Sequence, residues 1–168
     1  KIAIFTNFSQ DHLDYHKSMK NYLNTKLTLF SKLLKRNNYI ITDNEIPEHL
    51  KLKKIAKKKD LNLQTIGKKN STIQLKAIKP NGNFQIVTFV YNSKIYEVKV
   101  PLIGLFQVKN LFMSILAAKL SGLNIKQILH ATKNINEVNG RLQLIRTIPN
   151  KTKIFIDYAH TPDALETT

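Results

Sequence analysis

The segment from residue 153 to residue 166, KIFIDYAHTPDALE, constrains the fold most strongly. It begins with a short apolar run typical of a strand, and Asp157 follows at the end of that run. Pro162 suits the first turn of a helix, with Thr161 as its N-cap. His160 therefore lies in a connection between a strand and a helix. Such connections are typical of α/β proteins, which hold ligands at the carboxyl ends of their strands.

The rest of the chain alternates between two hydrophobic periods. Apolar runs and helical spacing predict a strand at 1–6, a helix over 17–36, a strand at 38–42 and a helix over 47–59. The period then changes to two, which predicts antiparallel strands at 72–78, 84–91 and 95–100, with turns at 80–83 and 92–94. The fold class is therefore α/β with an antiparallel β insert.

The last third adds two helices and a strand pair. The helices are expected over about 107–120 and 124–135, the second capped by Asn124. The strands are expected at 141–147 and 151–157, around the turn PNKT. Because no internal repeat or low-complexity linker interrupts the elements, we expect a single domain.

The charge of the chain is +16, from 27 Lys plus Arg against 11 Asp plus Glu. Lysine dominates, and the only arginines are Arg36, Arg141 and Arg146. Nucleic-acid interfaces usually use arginine forks and aromatic stacking, and the lysine run at 51–59 contains no aromatic residue. We therefore expect no specific nucleic-acid partner, and we interpret that run as a solvated lysine face above buried leucine and isoleucine. An anionic small substrate would suit a basic domain.

Cysteine is absent, which excludes disulfides and thiolate metal sites. No stretch approaches the roughly 20 apolar residues that cross a membrane. The sequence starts directly with an apolar strand, so we expect no signal peptide. We expect no membrane span, and the composition is compatible with a cytoplasmic enzyme.

A polar segment, TNFSQDHLDYH at 6–16, follows the first strand. It gathers side chains that can bind a divalent cation or position a phosphate-bearing ligand. These side chains are Asn7, Asp11, His12, Asp14 and His16. The alternative is that Ser9 and Asp11 only cap the next helix.

Lys26 lies on the apolar side of the helix predicted over 17–36, between Leu23 and Phe30. One interpretation is a lysine packed along the edge of the core. The other is a buried amine held in its neutral form, which reacts with carbon dioxide to give a carbamate. A carbamate is an anionic, carboxylate-like metal ligand. Periodicity alone favours the packed edge lysine.

Five segments in order resemble the Mur ligase family, the ATP-dependent amide-bond ligases that build the peptidoglycan stem peptide. The segments are TNFSQDHLDYH, YLNTKLTLF, PLIGLFQVKNLFMSILAA, NGRLQLI and DYAHTPDALE. Within the family, DHLDYH together with DYAHTPDAL is most similar to the UDP-N-acetylmuramoyl-tripeptide synthetases (the MurE type). The resemblance implies the cofactors ATP and Mg²⁺, and as partners UDP-N-acetylmuramoyl-dipeptide and an amino acid, either meso-diaminopimelate or lysine.

The resemblance also implies residue roles at a metal site. His12 matches a histidine that ligates the second magnesium ion. Lys26 matches a lysine that is carbamylated and helps to hold the same ion, so that it counts as a catalytic and a metal-binding residue. This implication opposes the packed-edge interpretation drawn from periodicity.

Further roles concern the nucleotide. Asn110 and Arg141 match nucleotide-facing residues of the family, and Asp157 matches the acid that binds the ATP ribose. His160, beside the phosphates, is the second catalytic candidate, and Asn7 lines the loop beneath the same site. The implied reaction phosphorylates the substrate carboxylate, and the amine of the amino acid then displaces phosphate.

The sequence departs from the family pattern in places. Gln107 stands where asparagine is usual, and TDNE at 42–45 replaces an asparagine and paired aspartates. No GxxxxGK[ST] phosphate loop is present. The resemblance therefore predicts the latter part of a central, P-loop-type domain at 1–156, without its phosphate loop, and a hinge with the start of a C-terminal domain at 157–168. The expected missing parts are the N-terminal domain, the phosphate loop and the C-terminal domain, so the chain alone is expected to be inactive.

Two alternatives stay open. The chain could come from another Mur-type or folylpolyglutamate-type ligase, although the latter would show a DGAHNP-like segment in place of DYAHTP. It could also be a degenerate, non-catalytic basic binding module that keeps the scaffold.

Overall fold

A computed structural model describes residues 1–10, 13–150 and 152–167. The chain divides into two compact units, Lys1–Gln74 and Leu75–Thr168. This division lies between Gln74 and Leu75, far from the hinge predicted at residue 157, which stays a prediction.

The first unit is a parallel sheet with helices in its connections. Its strands lie in the order β1 (Ile2–Phe5), β2 (Tyr39–Asp43), β3 (Asn62–Gly67) and the start of β4 (Ile73–Asn81). Its helices are α1 (Leu13–His16), α2 (Met19–Thr28) and α3 (His49–Lys59). Helical connections between β1 and β2 and between β2 and β3 let these neighbours run parallel, as in βαβ units.

The core of the first unit follows the helical spacing seen in the sequence. Leu23, Leu27 and Phe30 are buried, and the Phe30 ring lies 5.9 Å from that of Phe5 on β1. The predicted helix does not run unbroken to residue 36. From Leu29 to Leu33 it widens into a π-helical turn, closed by the amide of Leu34, which donates to Leu29 O at 2.9 Å. Such turns are often found at functional sites.

The second unit combines an antiparallel sheet with helices. The strands β4, β5 (Phe84–Tyr91) and β6 (Lys94–Val100) are neighbours in that order. The remaining elements are α4 (Leu105–Leu120), α5 (Ile125–Ala131), a 3₁₀ turn at Thr132–Asn134, β7 (Gln143–Thr147), β8 (Lys153–Ile156) and α6 (Pro162–Thr167). The strands β7 and β8 form a separate antiparallel pair. Phe89 and Phe112, which are fully buried, pack edge to face at 4.8 Å in the core of this unit.

Most elements confirm the predictions, and the α/β class is confirmed. The Asn124 side chain caps α5 by accepting from the amide of Lys126 at 2.9 Å. Thr161 accepts from the amide of Ala164 at 3.3 Å, so the start of α6 is also as expected. However, β3 was not predicted, because its apolar residues do not alternate. The strand predicted as purely antiparallel at 72–78 starts beside β3 in parallel register, through Ile73 and Gln74.

The end of β3 depends on a glycine. Gly67 has φ +153°, and a Cβ built there would collide with the side chain of Asn44. Asn44 in turn donates from Nδ2 to the carbonyl of Lys69 at 2.7 Å. The close approach of these two chain segments therefore requires a residue without a side chain at position 67.

Within the described residues, no helix has the length and apolar character needed to cross a membrane.

Candidate active site

The structure brings Lys26 and Asn7 together in the first unit. Lys26 lies in the last turn of α2, just before the π-helical turn, and its side chain is half-buried. Its Nζ donates a hydrogen bond to the carbonyl oxygen of Asn7 at 2.9 Å. Asn7 belongs to the connection that leaves β1, so two of the predicted site residues, separated by 19 positions, meet at the carboxyl end of that strand.

Two aromatic rings lie close to the Lys26 amine. Nζ lies 5.1 Å from the ring centroid of Tyr22 and 5.5 Å from that of Phe5. The Tyr22 ring is itself stacked on His16 at 4.8 Å. A cation over aromatic faces is stabilised by the ring quadrupoles. Tyr22 was not among the predicted site residues, although its position four residues before Lys26 on one helix indicates a contact between the two side chains.

These contacts account for a lysine on the apolar side of α2. Its methylene stem packs while its amine binds a carbonyl and faces π electrons. A carbamylated Lys26 nitrogen would keep one hydrogen, which could still donate to the carbonyl of Asn7. The carbamate itself stays a prediction.

The predicted metal ligand His12 lies outside the described residues. Within the described part of the chain, no group of three or more His, Cys, Asp or Glu side chains is arranged to hold a metal ion. A magnesium ion at this place would therefore need His12 and carbamylated Lys26 as ligands, together with further ligands that are not among the described residues.

Asp157 is held by the backbone of the second unit. Its Oδ2 accepts from the amide of Leu142 at 2.7 Å, and its Oδ1 accepts from the amide of Ala159 at 2.7 Å. In addition, the amide of Tyr158 donates to the carbonyl of Gly140 at 2.9 Å. The end of β8 is thus fixed against the turn that precedes β7. Each carboxylate oxygen keeps a free lone pair, which can accept from a ligand hydroxyl.

Arg141 and His160 both lie against the ring of Tyr158. The Arg141 guanidinium is 5.3 Å from the Tyr158 ring, and the His160 ring packs edge-on against it at 4.9 Å. The Nδ1 of His160 lies 2.8 Å from the carbonyl of Tyr158, so this nitrogen carries the donated proton and Nε2 is left for another partner. All three side chains are exposed. The structure thus brings together Arg141, Asp157 and His160, three of the predicted residues.

Asn110 is not part of this cluster. It lies exposed on α4, and within the described residues its side chain makes no hydrogen bond to Arg141, Asp157 or His160. The side chain of α4 that reaches the Arg141 segment is Gln107, which lies one turn earlier and is buried. Its Nε2 donates to the carbonyls of Ile103 and Arg141, both at 2.8 Å. The residue that departs from the family pattern therefore anchors the segment that carries Arg141.

The chain resembles known proteins over most of its length. A family model described as the Mur ligase middle domain matches residues 1–118, more than half of the chain. The UDP-N-acetylmuramoyl-L-alanyl-D-glutamate--2,6-diaminopimelate ligase of Rickettsia montanensis is 37% identical over 165 residues, which are 98% of this chain and 33% of that protein. The chain thus spans about a third of the length of the curated relatives that it matches.

Solved structures show the same fold. A structure of a UDP-N-acetylmuramoyl-L-alanyl-D-glutamate--2,6-diaminopimelate ligase superposes with a TM-score of 0.79 at 26% identity, covering 98% of this chain and 34% of that one. The MurF ligase of Thermotoga maritima, in complex with ADP, superposes with a TM-score of 0.81 at 20% identity, covering 99% and 37% of the two chains.

Proposed function

The chain belongs to the Mur ligase family, and from this premise we propose that it supplies nucleotide- and metal-binding parts of the middle domain of an ATP-dependent amide-bond ligase. The ligase would add the third amino acid to UDP-N-acetylmuramoyl-L-alanyl-D-glutamate, in the cytoplasm. Its relatives are named 2,6-diaminopimelate ligases, which favours diaminopimelate over lysine as that amino acid.

The observation that carries this proposal is the anchoring of Asp157 beside Arg141 and His160. Two backbone donors orient the carboxylate, so that its remaining lone pairs point to a fixed place and can accept from ribose hydroxyls. The exposed Arg141 guanidinium can bind a phosphate oxygen pair. A protein of similar fold, the MurF ligase of Thermotoga maritima, forms a complex with ADP, which supports a nucleotide as the ligand.

Lys26 and His12 would hold magnesium on the other unit. When bound, Mg²⁺ reduces the electrostatic repulsion between anionic reactants. The role of this chain is to offer Lys26 as a carbamate, which turns a repelling ammonium into an oxygen ligand. Asn7 would orient that carbamate through the hydrogen bond that its carbonyl now accepts from Nζ.

A segment exchange tests the proposal. The 165 matched residues of the Rickettsia montanensis ligase are replaced by this chain, and phosphate release from ATP is measured with the muramoyl dipeptide present. We expect release that depends on diaminopimelate and is much weaker with lysine. A folded chimera that releases no phosphate with either amino acid would overturn the proposal.

Asp157→Asn in the same chimera tests the nucleotide site. The amide turns an N–H toward a backbone N–H and loses the charge, so the KM for ATP should rise by about tenfold or more. Glu166→Gln, an exposed acid on α6, removes the same charge nearby and should leave the KM for ATP unchanged. Equal effects of the two variants would count against a specific role for Asp157.

A further inference from the structure

The helix α3 buries apolar side chains on one side and exposes most of its lysines on the other. Leu52 and Ala56 are buried in the core of the first unit, and Ile55 is half-buried beside them. At about 100° per residue, the opposite side of the helix forms an arc of roughly 160°. Five exposed lysines fill that arc: Lys51, Lys53, Lys54, Lys57 and Lys58. We call this surface the α3 lysine face.

The charge of the α3 lysine face is not neutralised locally. Glu48, just before the helix, is buried, and Asp60, just after it, pairs with Arg36 at 3.0 Å. Within the described residues, no acidic side chain forms a salt bridge with any of the five lysines. Like charges at three- and four-residue spacings repel each other, so the surface favours an anionic partner that relieves this repulsion.

One apolar side chain lies inside the lysine arc. Leu50 is 66% exposed, and its helical position falls between those of Lys53 and Lys54. A leucine exposed among cations gains nothing from water or from a phosphate backbone. It gains free energy where an apolar layer lies directly beneath an anionic one.

The dimensions and chemistry indicate which polyanion fits. The 11-residue helix is about 16 Å long, so its five amines spread over a broad area instead of converging on one small ion. α3 contains neither arginine for phosphate forks nor aromatic residues for base stacking, which disfavours a nucleic acid. A cluster of lysines on an amphipathic helix with an exposed leucine matches an anionic lipid surface.

We propose that the α3 lysine face docks this protein on an anionic lipid bilayer, with the lysine amines on headgroup phosphates and Leu50 at the acyl boundary. The docking goes beyond the proposed ligase function and does not depend on it, because α3 carries none of the predicted site residues.

Vesicle binding tests the proposal directly. The 168-residue chain is sedimented with phosphatidylcholine vesicles that contain or lack phosphatidylglycerol, at low and at high salt. We expect binding only with phosphatidylglycerol, weakened by salt. Each lysine near an anionic surface contributes about a fivefold factor, so the triple variant Lys53→Gln, Lys54→Gln, Lys57→Gln should lower the partition coefficient on the order of 100-fold.

Two further variants separate docking from general attraction. The triple variant Lys20→Gln, Lys79→Gln, Lys94→Gln removes the same charge from exposed positions elsewhere and should retain most of the binding. Leu50→Gln keeps every charge and should lower the partition coefficient by about tenfold. Thermal melting of each variant confirms that the fold is kept.

Other outcomes would overturn the proposal. If the two triple variants lowered the partition coefficient equally, the binding would depend on the net charge of the chain and not on the α3 lysine face. Binding to a duplex RNA that is tighter than to the vesicles and insensitive to Leu50→Gln would assign the face to nucleic acid instead. Absence of any difference between vesicles with and without phosphatidylglycerol would exclude an anionic lipid surface.

Discussion

At the residue scale, Lys26 meets two requirements that usually conflict. Its stem occupies an apolar helix face, yet its amine has a carbonyl partner in Asn7 and two aromatic rings close by. A partly buried amine without such partners would destabilise the fold. The contacts therefore explain how a lysine is kept at this position, and they place it where a modified amine would still be oriented by Asn7.

We predict that Lys26 carries a carbamate when magnesium is present. The carbamate carbon should appear in the ¹³C NMR spectrum of the chain with labelled bicarbonate and Mg²⁺, and it should vanish in Lys26→Arg but persist in Lys20→Arg. In the chimera, Lys26→Ala should lower turnover on the order of 100-fold, because a metal ligand is lost, with partial rescue by short carboxylates. Full turnover of Lys26→Ala without additive would contradict the metal role.

His49, the first residue of α3, should make stability depend on pH. Burial, and next the nearby Lys53, lower the pKa of His49 below its ordinary 6.5, while Asp43 opposes them in part. The folded state therefore resists protonation more than the unfolded chain does. The contribution of neutral His49 to stability is present above about pH 6.5, and it is lost as the pH falls through the lower pKa that His49 has in the folded state.

The measurement is urea unfolding at about pH 7 and about pH 5. We expect the loss of stability between these two conditions to be smaller in His49→Gln than in the unmodified chain. His130→Gln, which changes an exposed histidine on α5, serves as the control and should leave the loss unchanged. An identical loss of stability in all three proteins would show that His49 does not cause the pH dependence.

At the scale of elements, Gln107 joins α4 to the turn before β7. A single amide group donates to two carbonyls, one in the segment leading into α4 and one at Arg141. Asparagine, which the family resemblance leads us to expect here, is shorter by one methylene group. This chain therefore uses the longer side chain to span a gap between two elements.

Gln107→Asn should accordingly destabilise the chain by about 1–3 kcal/mol, because at least one partly buried carbonyl loses its donor. Urea unfolding measures the effect. The matched control is Gln127→Asn on the exposed side of α5, which should change stability by less than about 0.5 kcal/mol. If both variants lose equally little, the bridge does not hold the two elements together.

Predictability also differed between elements. The helix α4 was predicted within two residues of its observed bounds, because its apolar residues recur every three or four positions. The start of α2 was predicted equally well, but α2 ends at Thr28 and not at residue 36. The strand β3 was not predicted, because its buried residues Thr65, Ile66 and Gly67 are consecutive and only partly apolar. A parallel strand that is covered on both sides carries no alternation, so its sequence lacks the signal that identifies a half-exposed strand.

At the scale of the whole molecule, the chain lacks the GxxxxGK[ST] loop on which ATP phosphates would rest. We therefore predict that the 168-residue chain alone releases no phosphate from ATP above a buffer control, with diaminopimelate and the muramoyl dipeptide present. The chimera proposed above is the positive control. Turnover by the chain alone would show that the remaining residues suffice for catalysis.

The sequence by itself determined the α/β class, the places of most elements and the family. These properties depend on local periodicity, on capping residues and on the order of short segments, all of which are written along the chain. The candidate residues Asn7, Lys26, Arg141, Asp157 and His160 were also named from the order of those segments.

Only the tertiary structure decided which of these residues meet. The bonds from Lys26 to Asn7 and from the amide of Leu142 to Asp157 join positions 19 and 15 residues apart. The turn through Gly140 and Leu142, both at positive φ, brings the second pair together. Periodicity reports which side of an element is buried, but contacts between elements depend on the path of the backbone, which no local pattern specifies.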